Sequence, residues 1–107
     1  MSKKLREIIL LNGATTNVSS SWYDVTELSR MTIHIEGTGS STLKLRGSCA
    51  PTKPTDSEDG IQIGTDITAD GLISLSQKIK FIKLSITTIG TGDINAYLVG
   101  DSTAYGV

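Results

Sequence analysis

The chain has 107 residues, ten basic and eleven acidic for a formal net charge of −1, with 37% hydrophobic and 5% aromatic residues. That length fits one domain, which buries about 65% of the surface its unfolded chain exposes. The balanced charge excludes the basic excess on which nucleic-acid affinity rests, and no stretch nears the roughly 20 apolar residues of a membrane span.

With few aromatics, the core falls to Ile, Leu and Val, a β-branched bias that favours strands. Lys3, Lys4 and Arg6 open the chain as a short solubilising cluster. The apolar run that follows, Ile8, Ile9, Leu10 and Leu11, is interrupted from the basic residues by Glu7 and is too short for a secretory signal, so synthesis in a cytoplasm is expected. Residues 5–11 read as a first strand, with a short helix over 3–10 as the alternative. Residues 20–25 read as a second strand. Neighbours in a strand point to opposite faces, which places Trp22 in the core and Tyr23 outside. One helical turn is possible over 25–30, with Thr26 as its N-cap.

The strongest period-two signal follows. Met31, Ile33 and Ile35 alternate with Thr32, His34 and Glu36, and Leu43 and Leu45 alternate with Thr42, Lys44 and Arg46. Gly37-Thr38-Gly39-Ser40-Ser41 lies between them and predicts a β-hairpin. Residues 47–60 form a long irregular stretch whose Pro51 and Pro54 exclude a central strand; loops of that length are often functional or mobile. Residues 62–68 and 72–76 flank Asp70-Gly71, a tight-turn dipeptide, with Ile73 and Leu75 facing inward. A second hairpin is predicted from residues 81–88, where Ile82, Leu84 and Ile86 share a face, through Gly90-Thr91-Gly92-Asp93 to the strand of Ile94, Ala96 and Leu98. Residues 101–107 read as a polar tail, and 1–4 and 101–107 as flexible termini. About eight short strands and almost no helix predict a single-domain, all-β antiparallel sandwich over 1–107, jelly-roll-like or Greek key.

Chemistry is sparse along this pattern. His34, the lone histidine, shares a polar strand face with Glu36, but a catalytic base needs a nucleophile beside it, and a solvated face accounts for the pair. Cys49 is the single cysteine, so no intrachain disulfide forms and a reducing compartment fits. The acids Asp56, Glu58 and Asp59 lack the spacing and distal Glu of a calcium loop. One His and one Cys cannot build a zinc site within a subunit. Gly37-Thr38-Gly39 and Gly90-Thr91-Gly92 lack the third glycine and following helix of a dinucleotide site. The sequon Asn17-Val18-Ser19 has meaning only on a secretory route. No catalytic residue, metal ligand or cofactor is expected. Tyr23, Tyr97 and Tyr105 are the candidate interface residues, because Tyr is favoured at protein contacts.

The succession of Ser20-Ser21-Trp22-Tyr23-Asp24-Val25, the strand 31–36, Leu43-Lys44-Leu45-Arg46-Gly47-Ser48, a polar loop, and Phe81-Ile82-Lys83-Leu84-Ser85-Ile86 resembles the small β-sandwich virion proteins of tailed bacteriophages. Capsid decoration or cement proteins with jelly-roll-like folds are the nearest in style, over residues 20–100. The resemblance implies a non-enzymatic protein on the outer capsid surface, made in the host cytoplasm. It would bind the major capsid protein or other virion proteins as a homo-oligomer, often a trimer, with no nucleic-acid or membrane partner. A tail, neck or fibre-associated module is the alternative. A carbohydrate-binding module fits less well, since such sandwiches present several coplanar aromatics.

Overall fold

The computed structural model describes residues 4–102; Tyr105 lies outside them. Eight strands follow in order: β1 (Lys4–Ala14), β2 (Tyr23–Asp24), β3 (Leu28–Glu36), β4 (Thr42–Ser48), β5 (Ile61–Gln62), β6 (Gly71–Leu75), β7 (Phe81–Thr88) and β8 (Ile94–Ser102). Asp101 and Ser102, expected in a tail, complete β8. No helix forms at 25–30 among the described residues. The chain turns there instead, with the Leu28 amide donating to the Val25 carbonyl at 2.9 Å and the Thr26 amide to the Asp24 carboxylate at 2.9 Å.

The strands make two four-stranded antiparallel sheets, one in the order β1-β8-β3-β6 and the other β2-β7-β4-β5. Pairing is nested, first strand with last and inward to β4 with β5, the jelly-roll-like wrapping of a Greek-key sandwich. This corrects the predicted hairpins. β3 and β4 lie in different sheets, as do β5 and β6, and β7 and β8. The glycine turns carry the chain from one sheet to the other, so consecutive strands meet face to face across the core and not edge to edge. The Asp70-Gly71 turn is one of these crossings. The Asp70 carboxylate there accepts hydrogen bonds from the Gly37 and Thr38 amides at 3.2 and 2.9 Å and from the Thr38 hydroxyl at 2.6 Å.

The core is the aliphatic layer between the sheets, with Ile33, Ile35, Ile94 and Leu98 facing Leu43, Leu45, Ile82 and Leu84, all essentially closed to solvent. Each such side chain contributes about 1.5–3 kcal/mol. Two bulges adjust the alternation to fill it. In β3 the register slips between Ser29 and Thr32, where Arg30 takes φ 50°, so that Leu28 and Met31 both point inward. In β1 a slip between Ile9 and Leu11 turns both Leu10 and Leu11 inward.

β7 departs from the expected pattern, because residues 81–86 are buried on both faces. The segment before β2 runs along its edge and bulges, and the Ser20 hydroxyl stands in for a ladder carbonyl by accepting the Leu84 amide at 3.0 Å. Trp22 is buried, as expected, but outside the sandwich core. It lies on the outer face of the second sheet beside Lys83, under residues 54–60, and its indole N–H donates to the Glu58 carbonyl at 3.1 Å. The long loop is therefore folded onto the sheet.

Candidate functional site

The residues that sequence reasoning singled out divide between structural and surface positions. Tyr23, expected outside, is half-buried against the core, and its hydroxyl donates to the Ile9 carbonyl at 3.4 Å. That bond occupies an acceptor on the free edge of β1, so Tyr23 ties the two sheets together at one side of the sandwich. Arg6, from the basic cluster, reinforces the same side by pairing with Glu27 at 2.7 Å. Cys49 is exposed just beyond β4, with its thiol 3.8 Å from the Lys78 carbonyl, whereas His34 stands on β3 in the other sheet. In the long loop the Lys83 ammonium donates to the backbone carbonyls of Asp56 and Glu58 at 2.6 and 2.9 Å. Among the described residues no group of three His, Cys, Asp or Glu side chains is placed to hold a metal ion.

Tyr97 and His34 do come together, on the outer face of the first sheet. Inward residues of β8 and β3 are apolar, so the alternate set points out, and the registers of three strand pairs align that set in rows. Ile9 opposes Tyr97, Tyr97 opposes His34, and His34 opposes Leu72, giving one continuous row across β1, β8, β3 and β6. At the usual strand spacing the row spans about 14 Å. Its ends are apolar and open, Ile9 58% and Leu72 71% exposed, and Leu5 on the same face of β1 is 66% exposed. At its centre the Tyr97 and His34 rings lie 5.8 Å apart at a 57° tilt. Glu36 holds both from one side, accepting from the Tyr97 hydroxyl at 3.5 Å and standing 3.7 Å from the His34 Nε2.

The two outer faces differ. On the second sheet, Lys44 pairs with Asp66 at 3.1 Å, Gln62 donates to Asp66 at 2.9 Å, and Trp22, Lys83 and the long loop cover the rest. The hydrogen bond from Gln62, then that from Lys44, holds the Asp66 carboxyl below its ordinary value. On that face Lys44 is neutralised by Asp66, while the long loop covers Lys83 and solvates it with backbone carbonyls. The face of the first sheet presents large apolar and aromatic side chains with nothing packed over them among the described residues, and it is the candidate interaction surface.

A second feature went unnoticed in the sequence. On the side of the sandwich opposite β1 and β2, the sheets part between β5 and β6. A cleft of about 390 Å³ lies there, lined by Ile35, Leu45, Ile63, Ile67 and Ile73. It adjoins another of about 480 Å³ beside Ile61, Ile63 and Ile79. Ile61 at the lip is 77% exposed. The available signal was the uncharged segment Gly71-Leu72-Ile73-Ser74-Leu75, which has no charged residue to mark a guarded edge.

No family model and no curated protein matches this chain in sequence. Among solved structures it is similar to the SPBc2 prophage-derived protein YomS, known from a crystal structure, with a TM-score of 0.72 over 95% of this chain and 96% of that one, at 13% identity. The likeness is one of fold. It runs the length of both chains, so the whole sandwich is shared and not a single sheet or motif.

Proposed function

We propose that this protein is a non-enzymatic structural component of a phage virion, a capsid decoration protein that braces the head shell. The observation that carries the reading is the registered row Ile9–Tyr97–His34–Leu72 on an otherwise bare sheet face. Large apolar and aromatic side chains in a contiguous patch mark surfaces that meet another protein, and a four-stranded face offers a broad hydrogen-bonded platform for a shell subunit. Support also comes from the end-to-end fold likeness to a prophage-derived protein and from the resemblance to small virion sandwiches. Near-neutral charge suits a protein outside the shell, away from packaged nucleic acid. The test is co-sedimentation of the purified protein with undecorated capsids of the phage whose genome encodes it. Saturable binding at a fixed ratio to capsid subunits is expected. Absence of binding to capsids, or binding to tails or necks instead, overturns the decoration role.

A further inference from the structure

The four sheet edges are not equally protected. A free edge exposes unpaired backbone N–H and C=O groups that template pairing with another strand, and folded proteins guard against this with charge, bulges, short strands or cover. β1 carries Arg6 and Glu7, slips register twice, and has the Ile9 carbonyl taken by the Tyr23 hydroxyl. β2 and β5 are two residues each. β6 has none of these devices. It runs five residues in unbroken register with β3, from Leu75 opposite Met31 to Gly71 opposite Ile35, and contains no charge and no proline. Beside it lie the apolar cleft and the exposed Leu72 and Ile61.

We propose that the free edge of β6 pairs antiparallel with β6 of a second copy of this chain, joining the first sheets of two molecules into one continuous eight-stranded sheet. The strand is complementary to itself. With Ile73 on the two-fold axis, Gly71 stands opposite the second copy's Leu75 and Leu72 opposite its Ser74, so each remaining large side chain meets a small one. Because the strand is uncharged, the two-fold brings no like charges together. Pairing also draws the Leu72 and Ile61 lips of the two molecules toward each other over the cleft. A five-residue edge spans about 17 Å, and stable interfaces bury about 800 Å² per partner. This contact is small against that standard, so the dimer is a concentration-dependent one. It is two-fold, in place of the trimer implied by the sequence resemblance.

Sedimentation velocity over a dilution series, with amide hydrogen exchange on the same samples, tests the pairing without capsids. The wild-type protein shifts from monomer to dimer with rising concentration, and the alternate amides of Gly71–Leu75 that point away from β3 gain protection with it. Leu72→Lys, at a position too exposed to disturb folding, weakens dimerisation at least about tenfold, since edge lysine blocks strand pairing. Ile9→Lys, on the same face but at the far edge, leaves the dimer intact. A protein that stays monomeric throughout, forms trimers, gains protection at another edge, or loses its dimer through Ile9→Lys overturns the proposal. The outcome does not depend on capsid binding, so the two readings fail separately.

Discussion

The ammonium of Lys83 sits 5.6 Å from the centre of the Trp22 ring, and the two side chains are 2% and 1% exposed. A buried cation without a carboxylate partner is costly unless fixed dipoles solvate it. Here the carbonyls of Asp56 and Glu58 and the indole face do so, and the same carbonyls pin the long loop to the sheet. Lys83 is thus a clamp that turns an irregular segment into part of the fold.

Lys83→Met keeps most of the volume and removes the donor. The Asp56 carbonyl then lies under the loop without its bond, at a cost of about 1–3 kcal/mol. For a domain of this size that lowers Tm by about 4–8 °C per kcal/mol. Calorimetry reads the loss, and a red shift of Trp22 emission reads the loop lifting from the indole. Unchanged Tm and emission would show that the loop is held by other contacts.

Gly60 closes the same loop over the indole. It sits at φ +63°, and a Cβ there would lie 2.6 Å from Trp22 Cη2 and 2.7 Å from the Gly47 carbonyl. Gly64, at φ +72°, has open space where its Cβ would go. Gly64→Ala therefore incurs only the left-handed backbone cost of about 1–2 kcal/mol, and Gly60→Ala adds the displacement of Trp22. Urea unfolding of both variants should place Gly60→Ala lower. Equal losses would mean that the indole moves aside freely.

Much of this architecture was legible in the chain, and the illegible parts have physical reasons. Alternation located β3, β4, β7 and β8 closely, because one face of each strand is aliphatic. Alternation assigns faces, however, and does not assign partners. The segment Gly37–Ser41 suits a tight hairpin or a crossing between sheets, and only the nesting of all eight strands decides for the crossing. Alternation sets Lys83 on the face opposite Ile82 and Leu84 but does not show its burial, because the residues that bury it come from a loop 25–27 positions away. The exposed row was hidden for a similar reason: Ile9, His34, Leu72 and Tyr97 are scattered in sequence and are aligned only by three strand registers.

Asp70 makes acid stability depend on pH. The Thr38 hydroxyl, then the Thr38 and Gly37 amides, hold its carboxyl below the ordinary 3.8. The folded protein therefore binds this proton less readily than the unfolded chain does. The contribution is fully present above about pH 4 and is lost as pH falls through the lowered folded value. The urea midpoint should fall across that acid window, and Asp70→Asn should be less stable at neutral pH with a flatter acid profile. An Asp70 carboxyl that titrates at or above 3.8 by NMR would show that the turn does not favour its charged form.

Docking through the first sheet predicts an asymmetry between its outer face and that of the second sheet. Ile9 is 58% exposed and ends the registered row, so Ile9→Lys should leave stability within about 0.5 kcal/mol. At an apolar contact, a buried ammonium should weaken capsid binding by about tenfold or more. Lys44→Ala on the opposite face removes the half-exposed pair with Asp66, worth about 0–1 kcal/mol, and a 3.4 Å hydrogen bond to Gln62, and should leave binding unchanged. Quantitative pull-down on empty capsids with both variants reads the difference directly. The reverse pattern, with Ile9→Lys bound and Lys44→Ala released, would move the contact to the face that carries Trp22 and Lys83. The tilted Tyr97–His34 pair would then serve only to order its own sheet.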